Sequence, residues 1–76
     1  MSPSELKSLR HALGLSAEGF ARLAHVASGR TVRRWEDGSQ DIPGPVVVLA
    51  EALRDSPAVR GYFGLPTTLA PRGSAP

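Results

Sequence analysis

Short apolar stripes at helical spacing, each bounded by a capping residue and a glycine, are the feature that most restricts the fold of this chain. The first stripe follows Ser2, Pro3 and Glu5, which form the pattern of a capping box with proline at the first helical position. It consists of leucines that recur every three or four residues: Leu6, Leu9 and Leu13. Gly14 can then end the helix in the left-handed conformation. We therefore predict a helix over residues 3–13.

The same signals predict three further helices and a short fifth one. Ser16 and Ser28 are the expected N-caps of the second and third helices, over residues 17–24 and 29–37. The expected buried face of the second helix is Phe20, Leu23, Ala24 and Ala27. Prolines that suit only a first helical turn precede the last two helices: Pro43 and Pro45, then Pro57. The valines at residues 46–48 would ordinarily favour a strand, but the capped start and the continuation Ala-Glu-Ala-Leu favour a helix.

Packed helices must supply the stability of this chain, because its composition excludes the usual staples of small domains. It has 76 residues and no cysteine, so disulfides and zinc–thiolate sites are excluded. We predict an all-α fold of four or five helices over residues 1–64. The remaining residues, 65–76, are rich in Pro, Gly, Ser and Thr and are expected to form a flexible tail.

Several classes of function are disfavoured by the sequence. The N-terminal sequence MSPSELKSLR has no apolar run like that of a signal peptide, and the longest apolar stretch, residues 46–50, is far too short to cross a membrane. No spacing supports a nucleophile beside a base, and neither His11 nor His25 is expected to act in catalysis or bind a metal. We expect a cytoplasmic protein that is not an enzyme and has no cofactor, no small-molecule ligand and no membrane partner.

The third predicted helix places apolar and basic side chains on different faces. Val32 and Trp35 stand three residues apart and should both face the core. The basic side chains on the remaining faces are Arg30, Arg33 and Arg34. Basic charge is densest in residues 28–40 and the following segment is acidic, which favours an anionic partner. A solvated helix face without a partner is an equally reasonable interpretation of these arginines by themselves.

The second and third helices, joined by a turn at residues 25–27, match the arrangement of a helix-turn-helix. In that motif the second helix enters the DNA major groove, where arginine recognises guanine through two donors and a small residue permits close approach. The predicted base-contacting residues are Gly29, Arg30, Arg33 and Arg34. Nearby hydroxyl groups, basic side chains and backbone N–H groups are expected to contact phosphates. They belong to Lys7, Ser16, Arg22, Ser28, Gly38, Ser39 and Gln40.

Two segments resemble the lambda-repressor/Cro-like (XRE) family of helix-turn-helix regulators: LKSLRHALGLSAEGFARLA and SGRTVRRWEDG. The resemblance covers residues 5–54 and includes the signature Thr-Val-x-x-Trp-Glu-x-Gly. It implies a lambda-repressor-like fold and an ion pair between Arg10 and Glu36. It also implies that Ala17, like Ser16, contacts a DNA phosphate at the start of the second helix. His25 replaces the glycine common in the turn. The turn is also one residue longer than usual, as in small regulators associated with anti-CRISPR operons, which leaves the start of the third helix open.

The fourth helix is apolar on more than one side, so it needs more than one surface to pack against. We expect the second surface to be another copy of the chain. The predicted interface residues are Val47, Val48, Glu51, Tyr62 and Phe63. The predicted function is a bacterial or phage-encoded repressor that binds an inverted repeat in double-stranded DNA as a homodimer and represses its own operon. The alternative is an antitoxin-type interaction module that neutralises a partner protein through the fourth helix or the tail.

Overall fold

The computed structural model describes residues 1–69, which form five α-helices and no strand. The helices are α1 (Pro3–Ala12), α2 (Ala17–Leu23), α3 (Gly29–Glu36), α4 (Gly44–Asp55) and α5 (Pro57–Tyr62). The predicted all-α fold is therefore confirmed. The first three helices begin where the sequence places them, and each ends one residue earlier than predicted.

Serine side chains cap three of the helices at their N-termini. At α1, Ser2 Oγ accepts a hydrogen bond from the Glu5 N–H at 3.2 Å, and the Ser2 N–H donates to Glu5 Oε1 at 2.8 Å. This is the predicted capping box, and its hydrogen bonds, that from the Ser2 backbone first, lower the pKa of Glu5. Ser16 Oγ accepts from the Gly19 N–H at α2, and Ser56 Oγ accepts from the Val59 N–H at α5.

Three helices end in the same C-terminal arrangement, a Schellman motif. The residue after each C-cap has a positive φ: Gly14 (73°), His25 (58°) and Gly64 (72°). The next amide donates to the carbonyl of the third-last helical residue, at 3.1 Å in α1, 2.8 Å in α2 and 2.9 Å in α5. Two of the three positions hold glycine, which adopts this conformation without strain. His25 is the one non-glycine residue of the described segment with a positive φ.

The core is shared by the first four helices, and α1 contacts both α3 and α4. Helix α3 packs against α2 and α1, while α4 packs against α1 and α5. The buried apolar side chains are Leu6, Leu9, Leu13, Ala17, Phe20, Ala21, Val32, Trp35, Val46, Ala50 and Leu53. Ala27, predicted on the buried face of the second helix, is exposed because α2 ends at Leu23 and Ala27 lies in the following turn. That prediction is wrong.

The valine-rich segment is helical, as the capped start indicated. Helix α4 begins after Pro43, whose carbonyl accepts the N–H groups of Val46 and Val47 at 3.0 Å. Its valines do not share one environment, because Val46 is buried whereas Val48 is 67% exposed. Helix α4 is 12 residues long, and within residues 1–69 no helix has the length and apolarity that crossing a membrane requires.

The predicted flexible tail begins at residue 65, and its first five residues belong to the described part of the chain. Leu65 and Leu69 pack against the core, and a buried arginine, Arg60, holds the segment. Arg60 is 5% exposed and its guanidinium donates to the carbonyls of Leu53 (2.7 Å), Arg54 (2.9 Å) and Thr67 (2.6 Å). It thereby satisfies the last carbonyl groups of α4 and fixes the chain after α5. The rest of the predicted tail, residues 70–76, lies outside the described residues.

Candidate nucleic-acid interface

Helix α3 buries two side chains and exposes three arginines. Val32 and Trp35 are 0% and 4% exposed, and they anchor the helix in the core. The three arginines are exposed and are called the arginine face below: Arg30, Arg33 and Arg34. Within residues 1–69 no side-chain hydrogen bond or ion pair engages them. Their guanidinium groups are therefore free to bind an external acceptor.

The arginines elsewhere in the described segment divide between paired and unpaired. Arg10 binds Glu36, Arg54 binds Asp55, and Arg60 binds backbone carbonyls. The exposed Arg54–Asp55 pair, by hydrogen bond and by charge, raises the pKa of Arg54 and lowers that of Asp55. Arg22 of α2 is exposed and has no such partner in residues 1–69. The unpaired guanidinium groups of this segment thus all lie on α2 and α3, the two helices of the predicted DNA-binding motif.

An ion pair fixes the C-terminal end of α3 to α1. Arg10 Nε donates to Glu36 Oε2 at 2.7 Å, and Arg10 Nη2 donates to Glu36 Oε1 at 2.9 Å. The two side chains are 11% and 5% exposed. Arg10 Nη1 also donates to the Leu15 carbonyl at 3.1 Å, which ties the loop before α2 into the same network. The pair implied by the sequence signature is present, and it sets the direction in which α3 presents its arginines.

The N-terminal end of α3 is fixed to α2, and this changes the role of Gly29. Gly29 is buried, and its N–H donates to Glu18 Oε1 at 3.0 Å. A Cβ at this position would lie 2.8 Å from the Glu18 backbone nitrogen and 3.0 Å from the Ala17 carbonyl carbon. The close approach that requires glycine is therefore to α2. The assignment of Gly29 to base contact is corrected, because this residue is packed inside the protein.

Ser28 holds the N-cap position of α3, but its hydroxyl does not act as a cap. Its backbone is extended and its side chain accepts no N–H of the helix. The Thr31 N–H instead donates to the Ser28 carbonyl at 3.2 Å. The expected side-chain cap at Ser28 is absent from α3, and sequence reasoning missed the carboxylate of Glu18, which accepts the first N–H group of the helix, that of Gly29. The helix begins at Gly29. The position at which α3 starts, which the longer turn had left open, is therefore established.

The other predicted phosphate-contacting residues differ in what they can offer. Lys7 and Arg22 are exposed, and Lys7 lines a cleft between α1 and α3 together with Arg33. Ser16 is exposed, but its hydroxyl already caps α2. The Ala17 side chain is 2% exposed and belongs to the core. A phosphate contact at Ala17 is thus limited to its backbone, since the side chain points inward.

The loop after α3 uses two of the N–H groups that were expected to face a phosphate. The Ser39 N–H donates to Asp37 Oδ1 at 2.8 Å, and the Gln40 N–H donates to the Arg34 carbonyl at 3.1 Å. Hydrogen bonds from Ser39 lower the pKa of Asp37. Gly38 has a φ of 82°, which ends the helix. The proposal that this loop offers its backbone amides to phosphate is corrected for Ser39 and Gln40, because both are already bonded within the loop.

The predicted interface residues on α4 and around the end of α5 are mostly exposed. Val48 and Tyr62 are 67% and 84% exposed, Phe63 is partly exposed, and Glu51 is exposed. Val47 is half-buried. The rings of Tyr62 and Phe63 meet edge to face with centroids 5.0 Å apart. Exposed aromatic side chains such as these two are enriched in protein–protein interfaces.

Comparison with known proteins agrees with this arrangement. Residues 4–60 match the family model described as "Helix-turn-helix domain", and the chain belongs to this family. The fold and the family together make this chain a helix-turn-helix protein of the XRE type, which confirms the resemblance seen in the sequence. The chain is also 37% identical over 63 residues to Antitoxin HigA-2 of Vibrio cholerae serotype O1. The match covers 83% of this chain and 60% of that relative's length.

Proposed function

We propose that this protein is a sequence-specific transcriptional regulator that inserts α3 into the major groove of DNA. The observation that carries the proposal is the division of α3 between Val32 and Trp35, which are anchored in the core, and the unpaired arginine face. The groove admits one α-helix, and guanidinium groups recognise guanine through paired donors. The protein binds DNA and performs no chemistry on it.

The backbone of DNA is the source of most of the affinity in this proposal. Lys7, Arg22 and Ser28 contact phosphates at the edges of the motif, and they fix the register of α3 without reading sequence. Ser28 is suited to this role because its hydroxyl is not used in capping. The arginine face then supplies base preference, with guanine as the favoured partner.

Two copies of the chain are proposed to bind an inverted repeat. The exposed side chains of Val48, Tyr62 and Phe63 form the contact between the protomers, with Val47 and Glu51 beside them. Two α3 helices then enter successive major grooves about 34 Å apart on one face of the duplex. A dimer bound across promoter elements blocks polymerase, so the regulator acts as a repressor, with its own operon as the simplest target.

Selection of bound duplexes from a random pool tests this function. The wild-type protein is expected to enrich two half-sites with a fixed spacing, each containing guanine. Arg34→Ala is expected to relax the preference at one base position in each half-site and to weaken binding by about 1–3 kcal/mol. Enrichment of no sequence by the wild-type protein would refute the regulator proposal.

Sedimentation tests the dimer separately from DNA recognition. Val48→Asp places a charge in the proposed contact and is expected to give monomers with weaker operator binding. Ala27→Asp is the matched control and should remain dimeric, because it adds the same charge at an exposed position outside α4 and α5. An unchanged mass for Val48→Asp would remove α4 from the interface.

The likeness to Antitoxin HigA-2 supports a second candidate function, neutralisation of a partner toxin. In this alternative the exposed α4 face binds the toxin, and DNA binding is an additional activity. Co-expression with the product of the adjacent reading frame distinguishes the two. Growth rescue by both the wild-type protein and Arg34→Ala would establish neutralisation independent of DNA binding, and absence of growth arrest and of any complex would exclude it.

A further inference from the structure

We infer that Glu18 is a positioning residue for the recognition helix: its carboxylate accepts the first N–H group of α3 from α2, while the Ser28 hydroxyl makes no cap and stays free for DNA. The consequence for DNA recognition rests on the proposed function, whereas the cap itself does not. Glu18 lies in the first turn of α2 and is exposed. Nothing in the sequence of α3 itself indicates that Glu18 binds the start of this helix.

The N-cap of α3 differs from those of the other serine-capped helices. Ser2, Ser16 and Ser56 each accept a backbone N–H of the helix that they precede. Ser28 has an extended backbone, with φ −163° and ψ 163°, and makes no such bond. The N-terminal N–H groups of a helix need acceptors from outside the helix, and here the Gly29 N–H finds one in Glu18 Oε1 at 3.0 Å. The cap is therefore a tertiary contact between the two helices of the motif.

The fit between the two helices makes this contact possible. A Cβ on residue 29 would lie 2.8 Å from the backbone nitrogen of Glu18 and 2.9 Å from Glu18 Oε1. Any side chain larger than hydrogen would push the start of α3 away from α2 and lengthen the hydrogen bond. Gly29 and Glu18 thus form one unit, in which the absent side chain of the first allows the carboxylate of the second to reach the helix.

The charge of Glu18 acts in two opposite ways. A carboxylate at a helix N-terminus is favourable because it faces the positive end of the helix dipole. The same negative charge lies at the end of α3 that approaches DNA, so it repels phosphates and weakens binding to any sequence. We therefore expect Glu18 to raise sequence discrimination by fixing α3 while lowering affinity for random DNA.

The isosteric variant Glu18→Gln separates these two effects from each other. Its amide oxygen can still accept the Gly29 N–H, but the negative charge is gone. Glu18→Ala removes both the charge and the acceptor. Both variants should bind a scrambled duplex more tightly than the wild-type protein and to the same extent. Any difference between them then reports the hydrogen bond alone.

The experiment has one measurement without DNA and one with it. By NMR hydrogen exchange on the free protein, the Gly29 amide should be protected in the wild-type protein and in Glu18→Gln, and should exchange faster in Glu18→Ala. In binding to the selected and scrambled duplexes, Glu18→Ala should lose about tenfold in the ratio of the two affinities, the effect of one lost hydrogen bond. Glu18→Gln should keep that ratio.

Each outcome bears on a different part of the proposal. Unchanged Gly29 exchange in Glu18→Ala would overturn the cap. Faster exchange with an unchanged affinity ratio would overturn the positioning role. Faster exchange in a protein whose wild-type form selects no sequence would support the cap and refute the proposed function instead. Ser28→Ala is the matched control: it should leave Gly29 exchange unchanged and weaken binding to both duplexes equally, as loss of a phosphate contact does.

Discussion

The ion pair between Arg10 and Glu36 gives the largest stability effect that the structure predicts. Arg10→Met leaves the Glu36 carboxylate, whose side chain is 5% exposed, without either of its two guanidinium donors. Breaking one side of a buried pair costs about 3–5 kcal/mol. Glu36→Leu should cost about 3 kcal/mol, the lower end, because Arg10 still donates to the Leu15 carbonyl. Both values are large beside the total stability of a small domain, about 5–15 kcal/mol.

The double variant Arg10→Met/Glu36→Leu is the decisive comparison. Removing both charges leaves no buried ion, so the loss should fall to about 1 kcal/mol, the contribution of the lost hydrogen bond to Leu15. The coupling energy between the two sites should then be about 5 kcal/mol or more, because the single losses sum to about 6 kcal/mol or more and the double variant loses about 1 kcal/mol. An exposed pair would give less than about 1 kcal/mol and would weaken further in high salt.

Urea unfolding followed by fluorescence measures these values directly. Trp35 is the single tryptophan of the chain and is 4% exposed, so its emission reports loss of the core. In thermal unfolding followed by the same emission, each single variant should lower the melting temperature by roughly 12 °C or more, given about 4–8 °C per kcal/mol for a domain of this size. Single substitutions that each cost less than about 1 kcal/mol, or a double variant as unstable as the sum of the singles, would refute the reasoning.

Four further substitutions test local features of the motif by the same unfolding assay. Ser16→Ala should cost about 1 kcal/mol because this hydroxyl caps α2, whereas Ser28→Ala should cost almost nothing; equal losses would contradict the assignment of the caps. His25→Gly should raise stability by about 0.5–1 kcal/mol by relieving the positive φ, and a loss would mean that the histidine side chain stabilises the turn. Gly29→Ala should cost about 1–3 kcal/mol through overpacking against Glu18, and a neutral result would show that α2 and α3 separate easily.

Features set by neighbours in sequence were predicted well. The capping box of Ser2 and Glu5, the C-terminal glycine Gly14 and the first helix bounds depend on contacts a few residues apart, so the pattern contains them. The burial of Val32 and Trp35 follows from helical periodicity for the same reason. The orientation of the arginine face was predictable too, because the arginines occupy the helical positions that remain once Val32 and Trp35 face the core.

Features set by tertiary contact were missed or misassigned. Ser28 is a residue type typical of an N-cap, but its hydroxyl accepts no N–H of α3. The Gly29 N–H instead binds Glu18, which lies on another helix ten residues before Ser28. Gly29 was assigned to DNA because a lone glycine does not reveal which surface approaches it. Arg60 was not singled out by the sequence analysis, although its guanidinium binds three carbonyl groups. Leu65 directly after Gly64 is the one local signal that could have indicated an ordered segment, since an apolar residue at this place often packs back on its helix.

The most direct test of the central claim observes the arginine side chains during binding. In NMR spectra of the guanidinium Nε–Hε groups, addition of the selected duplex should shift the signals of Arg30, Arg33 and Arg34. The signals of Arg10 and Arg60, which bind partners inside the protein, should stay in place and serve as internal references. Shifts confined to arginines outside α3, with the three α3 signals unchanged, would contradict the account.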